Sequence, residues 1–246
     1  MIVTVGNEKG GVGKTTLVMH LAFAASEAGK RTLVIDFDTQ GNASQMLSTD
    51  PLRIASTPNG AETLLRKGPP AIRKSSVPGV DLLHGHRGLE AIDAHNMGEA
   101  SALRERILAL PYDVVIVDTP PSFGARHVAP LFWADRIVVP LEPTMSSLAG
   151  LDAVQTTMRQ VRKVRTGVKT FYVLNRLVKS SGTQRGMGAQ LKKILGKELL
   201  EPLSLRVAVS DALAIGKPVW AVARDRALRK QWKDLVSTIL GLGAEA

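Results

Sequence analysis

Apolar residues in this chain fall into short continuous runs divided by segments of helical period. Ile2-Val3-Thr4-Val5, Thr32-Leu33-Val34-Ile35, Val114-Val115-Ile116-Val117 and Phe171-Tyr172-Val173-Leu174 are β-rich and almost unbroken. Such runs fit strands covered on both faces, as in a parallel sheet. Between them, Leu17, Leu21 and Ala24-Ala25 recur at helical spacing, as do Leu228, Trp232, Leu235, Val236 and Ile239. The pattern predicts strands near residues 2–6, 32–37, 80–84, 113–118, 136–140 and 170–175. It predicts helices near residues 14–28, 98–109, 147–165, 184–196 and 225–240. This alternation argues for an α/β fold, a mostly parallel β-sheet with helices on both faces. The stretch from Pro51 to Gly79 is rich in Pro, Ser and Gly and holds a short helical pattern at Ala61–Arg66. No long linker or internal repeat divides the chain, so residues 1–246 read as a single domain.

The first strand runs into Lys9-Gly10-Gly11-Val12-Gly13-Lys14-Thr15-Thr16, and a helix leaves at about Lys14. Glycines let backbone N–H groups converge on phosphate oxygens, and a helix N-terminus adds partial positive charge. Lys14 suits the β- and γ-phosphates as a point charge, and the Thr15 hydroxyl suits Mg²⁺. The general P-loop pattern G-x-x-x-x-G-K-[ST] would need glycine where Glu8 stands. A lysine just before the two glycines takes its place as the distinguishing feature.

At these residues the chain resembles the deviant Walker A ATPases, the ParA/MinD group, whose pattern is K-G-G-x-G-K-[ST]-[ST]; every fixed position matches. The resemblance implies a P-loop NTPase that binds ATP and Mg²⁺ through residues Lys9 to Thr16. It assigns Lys14 to the nucleotide in cis and Lys9 to the nucleotide of a partner subunit. A homodimer with two ATP molecules at its interface follows.

Two further motifs agree. In Ile35-Asp36-Phe37-Asp38-Thr39-Gln40-Gly41-Asn42, a buried strand ends in carboxylates two residues apart, pointing to one face. They emerge at the carboxyl end of a parallel strand, where open α/β sheets bind ligands. One carboxylate can orient an attacking water while the other orders the site. The resemblance gives the water to Asp38 and a supporting, Mg²⁺-side role to Asp36, with Thr39 where the family usually has proline. The run Val114–Val117 ends in Asp118, the Walker B form, in which the acid holds Mg²⁺ through a water. Thr119-Pro120-Pro121-Ser122 continues neither strand nor helix and reads as a switch-like loop. Asn175 ends another strand, where the family's asparagine recognises the purine ring. The segment from Leu203 to Val219 resembles the part that closes over the base.

Composition narrows the classes. The 246 residues are 44% hydrophobic, enough for a large core, and contain no cysteine, which excludes disulfides and iron–sulfur clusters. No apolar run approaches the ~20 residues of a membrane span. The net charge of +10 is unevenly placed. Residues 1–150 carry 14 Lys and Arg against 15 Asp and Glu, whereas residues 151–246 carry 18 against 7. A basic C-terminal part suits a polyanion, and nonspecific double-stranded DNA is the candidate. Lys192, Lys193, Arg206, Arg224, Arg226 and Arg229 are the candidate contacts. Few aromatics are interleaved, so contact with phosphates is expected, sequence-independent and salt-sensitive. The last helix is amphipathic and basic; packing on the sheet is favoured over lying on a membrane.

The resemblance thus points to a short ParA-type partition ATPase without an N-terminal helix-turn-helix. ATP closes the dimer, the dimer binds DNA, and hydrolysis stimulated by a centromere-binding, ParB-like adaptor releases it. The protein would be cytoplasmic and nucleoid-associated. Positioning of a protein cargo on the nucleoid and a MinD-like division-site role at the membrane stay open. A regulatory tyrosine kinase of the same fold would need a tyrosine-rich tail, and only Tyr112 and Tyr172 are present. Lys14, Asp38 and Asp118 argue against nucleotide acting as a dimer glue without turnover.

Overall fold

Alternate residues of the central strands enter two apolar layers, as a sheet covered on both sides requires. Val3 and Val5 of β1 (Ile2–Val5) face one layer and Ile2 the other. In β5 (Val114–Asp118), Val114 and Ile116 divide from Val115 and Val117 in the same way. The computed structural model describes residues 1–54, 56–94 and 97–243. With β2 (Thr32–Asp36), β3 (Arg73–Lys74), β4 (Val80–Leu83), β6 (Arg136–Leu141) and β7 (Lys169–Leu174), the strands form one sheet in the order β3-β4-β2-β5-β1-β6-β7. Every pairing is parallel except β3 with β4.

Helices lie on both faces. On one, α1 (Lys14–Glu27) and α10 (Arg226–Leu240) pack together over β1, β2 and β5, with Trp220 of α9 (Val219–Val222) and Trp232 of α10 in the same core. On the other, α5 (Ala125–Trp133) covers β2 and β5, while α6 (Met145–Val164) and α7 (Gly182–Leu195) cover β6 and β7. The remaining helices are α2 (Asn42–Leu47), α3 (Pro51–Ile54), α4 (Met97–Leu108) and α8 (Val207–Ala214), with 3₁₀ segments at Ala61–Leu65, Arg87–Ala94 and Gly196–Glu198.

His20 joins the two halves of the first layer. It is fully buried on α1, donates through Nδ1 to the Thr16 carbonyl at 2.8 Å, and accepts the Val219 N–H at Nε2 at 3.2 Å. Its ring lies 4.1 Å from that of Trp232. The two partners fix the neutral tautomer, and burial lowers its pKa to about 4.

The predicted strands and long helices stand within two residues of their expected bounds. Among the described residues, five helices and one strand lie outside the expectation. Pro130 inside α5 interrupts its helical signature, α2, α3, α8 and α9 are short, and β3 is a two-residue antiparallel edge. The apolar stripe of α10 (Leu228, Trp232, Leu235, Val236, Ile239 and Leu240) is buried, so the packed reading of that helix holds. Among the described residues no helix is long and apolar enough to cross a membrane.

Candidate functional site

Three loops meet at the carboxyl ends of β1, β2 and β5. The order β2-β5-β1 makes those strands neighbours, and the register sets Asp36 beside Asp118 and Val5 beside Asp118. Residues far apart in sequence converge because parallel strands present all their carboxyl ends on one side.

The loop after β1 is pinned before it turns. Asn7 donates from Nδ2 to the Pro140 carbonyl at 2.7 Å and accepts the Lys9 N–H at Oδ1 at 2.9 Å. Gly13 caps α1 at φ +95°, in the left-handed region where glycine is at ease. A Cβ there would also collide with Asn175 Nδ2. Gly10 and Gly11 are exposed at the loop tip, Val12 is buried beneath it, and Thr16 continues the first turn of α1.

Lys14 opens α1 and is 7% exposed, with Nζ donating to the Lys9 carbonyl at 3.0 Å. Burial lowers its pKa, and the nearby Asp118 and Asp38 carboxylates partly restore it. Thr15 Oγ1 donates to Asp118 Oδ2 at 2.8 Å. The other oxygen, Asp118 Oδ1, is buried and has no hydrogen-bond partner among the described residues. Burial raises the Asp118 pKa well above the usual carboxylate range, with the adjacent Asp36 adding to it. Asp36 is pushed up to about 6, chiefly by burial. A buried acidic group with an unpaired oxygen calls for a cation. Thr15 and Asp118 together therefore fit Mg²⁺, whose hard character takes oxygen ligands.

Both carboxylate oxygens of Asp36 accept hydrogen bonds. Its Oδ1 accepts the Asp38 N–H at 3.0 Å, and its Oδ2 accepts the Ser44 N–H at 2.9 Å and the Ser44 hydroxyl at 2.6 Å. It therefore acts on the shape of the loop that carries Asp38. Close approach of Gly85 completes this packing, since a Cβ there would sit 2.9 Å from Asp36 Cγ. Asp38 is 9% exposed, and its Oδ1 accepts the Gln40 N–H at 2.9 Å.

Lys9 is held in cis. Its Nζ donates to Thr144 Oγ1 and Ser146 Oγ, both at 3.1 Å, and pairs with Glu142 Oε2 at 3.3 Å. Reaching a partner subunit would require these contacts to break. Asn175 is buried under the loop, its Nδ2 donating to the Val12 carbonyl at 2.9 Å and its Oδ1 accepting the Arg176 N–H at 2.9 Å. These two bonds leave one amide N–H and one lone pair of Asn175 unused.

The six basic candidates are all exposed. Lys192 and Lys193 lie in the last turn of α7, Arg206 precedes α8, and Arg224, Arg226 and Arg229 surround the start of α10. Lys192 is tied by a 3.0 Å hydrogen bond to the Leu199 carbonyl. No hydrogen bond or ion pair joins the α7 pair to the α10 group among the described residues.

Sequence reasoning missed Ser44, Arg126 and the Lys9 partners Glu142, Thr144 and Ser146. The last three follow β6 directly, on the ligand side of a parallel sheet, and that position was the available signal. Ser44 and Arg126 carried no local signal.

Residues 1–170 match a family model described as an AAA domain. The chain is 31% identical over 241 residues to Protein IncC of Escherichia coli, covering 93% of this chain and 65% of IncC. It is 29% identical to the chromosome partitioning protein ParA of Caulobacter vibrioides, covering 89% of this chain and 85% of ParA. The chain belongs to the ParA/MinD-type ATPases. In fold, this family member superposes on an ATP complex of a Cyanothece McdA variant with a TM-score of 0.83 at 19% identity, covering 98% of this chain and 96% of that one. The septum site-determining protein MinD of Pyrococcus horikoshii, complexed with Mg-ADP, gives 0.74 at 19% identity, covering 97% and 95%.

Proposed function

We propose that this chain is a Mg²⁺-dependent ATPase that dimerises on ATP, binds nonspecific DNA in that state and segregates plasmid or chromosomal DNA. The observation that carries the reading is the convergence of Lys14, Thr15, Asp38 and Asp118 around one glycine loop, with Asp118 Oδ1 buried and unpartnered among the described residues. Lys14 would hold the β- and γ-phosphates, and the N-terminus of α1 would add its dipole. Thr15 and Asp118 would hold Mg²⁺, which would neutralise charge on the phosphate oxygens. Asp38 would orient the attacking water, and Asp36 would hold the Asp38 loop in place. Asn175 would offer its remaining amide N–H and lone pair to the base. Release of Lys9 from Glu142, Thr144 and Ser146 would free it for a partner's nucleotide, so dimerisation would exchange one set of contacts for another.

The relatives named for chromosome partitioning support the cellular role, with a centromere-binding, ParB-like adaptor as the expected stimulator. The basic residues around α10 support DNA as the polyanion, with a nucleoid location. The burial of α10's apolar stripe speaks against the membrane alternative. Binding to random-sequence duplex DNA with ATP, with ADP and without nucleotide, across a salt series, tests the reading. ATP-dependent, salt-sensitive, sequence-independent binding is expected. Absence of binding in every state would remove DNA from the proposal while leaving the nucleotide chemistry in place.

A further inference from the structure

Arg126 and Asp93 lie outside every phosphate-site motif, yet Arg126, held by Asp93, reaches the peptide that carries Asp38. Arg126, in the first turn of α5, is 6% exposed. Its Nε and Nη2 donate to Asp93 Oδ2 at 3.0 and 2.7 Å, and its Nη1 donates to the Phe37 carbonyl at 3.2 Å. Asp93 Oδ1 accepts the Arg126 backbone N–H at 3.1 Å, so one carboxylate grips the residue at both ends. Gly124 permits that approach: a Cβ there would stand 2.7 Å from Asp93 Oδ1.

The Phe37 carbonyl and the Asp38 N–H belong to one peptide group. Arg126 holds the carbonyl and Asp36 Oδ1 holds the N–H. The Phe37 N–H in turn donates to the Asp118 carbonyl at 2.9 Å. A peptide plane fixed at both poles cannot rotate, and it sets the direction in which the Asp38 side chain leaves the backbone. The neighbouring α5 residue, His127, donates through Nδ1 to the Pro120 carbonyl at 3.2 Å. One turn of α5 thus grips both the loop after β2 and the loop after β5. Burying a guanidinium is costly, and an apolar side chain at this buried position would fill the space at less desolvation cost. The arginine's distinguishing contribution is the bond to the carbonyl beside Asp38.

We propose that Arg126, braced by Asp93, is a positioning residue for Asp38, fixing the Phe37–Asp38 peptide and tying it to the loop that follows Asp118. This rests on the reading of Asp38 as the group that orients water. Displacement of a reacting group by about 1 Å costs on the order of a hundredfold in rate.

Fluorescent-nucleotide titration and steady-state hydrolysis on Arg126→Met, Arg126→Lys, Asp38→Ala and the Arg126→Met/Asp38→Ala double variant test it. Arg126→Met should bind ATP with an unchanged Kd while kcat falls roughly ten- to hundredfold. Arg126→Lys should recover part of the loss, and adding Arg126→Met to Asp38→Ala should lower kcat little further than Asp38→Ala alone. Wild-type kcat in Arg126→Met, or losses that multiply in the double variant, would overturn the proposal. Should Arg126→Met fail to fold, Asp93→Asn, which keeps the arginine, enters the same cycle with the same two outcomes. Normal turnover by Asp38→Ala with Arg126 intact would overturn the underlying reading of Asp38, and the proposal with it.

Discussion

Thr15 Oγ1 meets Asp118 Oδ2 at 2.8 Å, and the second oxygen of that carboxylate is buried without a partner among the described residues. The two side chains are 103 positions apart, and parallel pairing of β1 with β5 joins them. The hydroxyl satisfies one oxygen, and the other is the group that the proposed Mg²⁺ would meet.

Asp118→Asn should therefore reduce the Mg²⁺-dependent part of ATP affinity by roughly ten- to a hundredfold, the scale seen when a metal's supporting shell is altered. Affinity in EDTA should change little. The variant should also be more stable than the parent without Mg²⁺, because burial holds the Asp118 carboxyl well above its ordinary pKa. Calorimetric titration with and without Mg²⁺, alongside thermal melts, checks both statements.

The two lysines of the loop should separate. Lys14 is buried against the site, whereas Lys9 is bound to Thr144, Ser146 and Glu142 on the edge of it. Lys14→Ala should abolish measurable nucleotide binding, consistent with losing charged hydrogen bonds of about 1.5–3 kcal/mol each in a desolvated setting. Lys9→Ala should bind ATP normally and fail to form the ATP-dependent dimer. Light scattering of each variant with ATP reads the difference, and an ATP-dependent dimer of Lys9→Ala would refute the assignment in trans.

Acid should act on His20 and Asp36 in opposite directions. His20 has a folded pKa of about 4 against an ordinary value of 6.5. Its contribution is whole above pH 6.5 and is lost as the pH falls towards 4, about 3 kcal/mol in all. Asp36 has a folded pKa of about 6 against 3.8, so its contribution is whole below 3.8 and is lost as the pH rises towards 6. The two overlap and blunt each other in Mg²⁺-free buffer. Asp36→Asn should therefore show a steeper loss of stability between pH 6.5 and 4 than the parent. Urea unfolding across that range gives the slopes, and parallel curves would count against the assignment.

Arg224, Arg226 and Arg229 surround the N-terminus of α10 and are exposed, while Leu228 and Trp232 of the same helix are buried. Replacing the three arginines by alanine should weaken DNA binding and lower the salt slope by about 0.9 for every phosphate they no longer neutralise. ATP affinity and thermal stability should stay within error. An unchanged slope would move the DNA surface to another face of the molecule.

Much of this molecule was legible because its signals are local. The β1 run, the lysine-flanked glycines and the strand-end acids Asp36 and Asp118 announce a phosphate site from adjacent residues alone, since backbone conformation and strand ends depend on near neighbours. Continuous apolar runs likewise marked the buried strands. The stripe of α10 marked a packed helix. What a local signal lacks is a partner. Pro130 concealed α5 because a helix tolerates proline only where tertiary packing supports it. The two-residue β3 exists only because β4 lies beside it.

The sequence by itself determined the fold class, the glycine loop and the identities of the acids and lysines around it, because those follow from residue type and spacing. Only the tertiary structure decided what each group touches. It placed Asp36 under Asp38, bonded to the Asp38 N–H and to Ser44, and it parked Lys9 against Glu142. It also set Asn175 beneath Val12 and brought Arg126 to the Phe37 carbonyl. These groups meet only when strands, helices and loops pack, and side-chain hydrogen bonding of that kind is fixed by packing geometry and carries no mark in the local sequence.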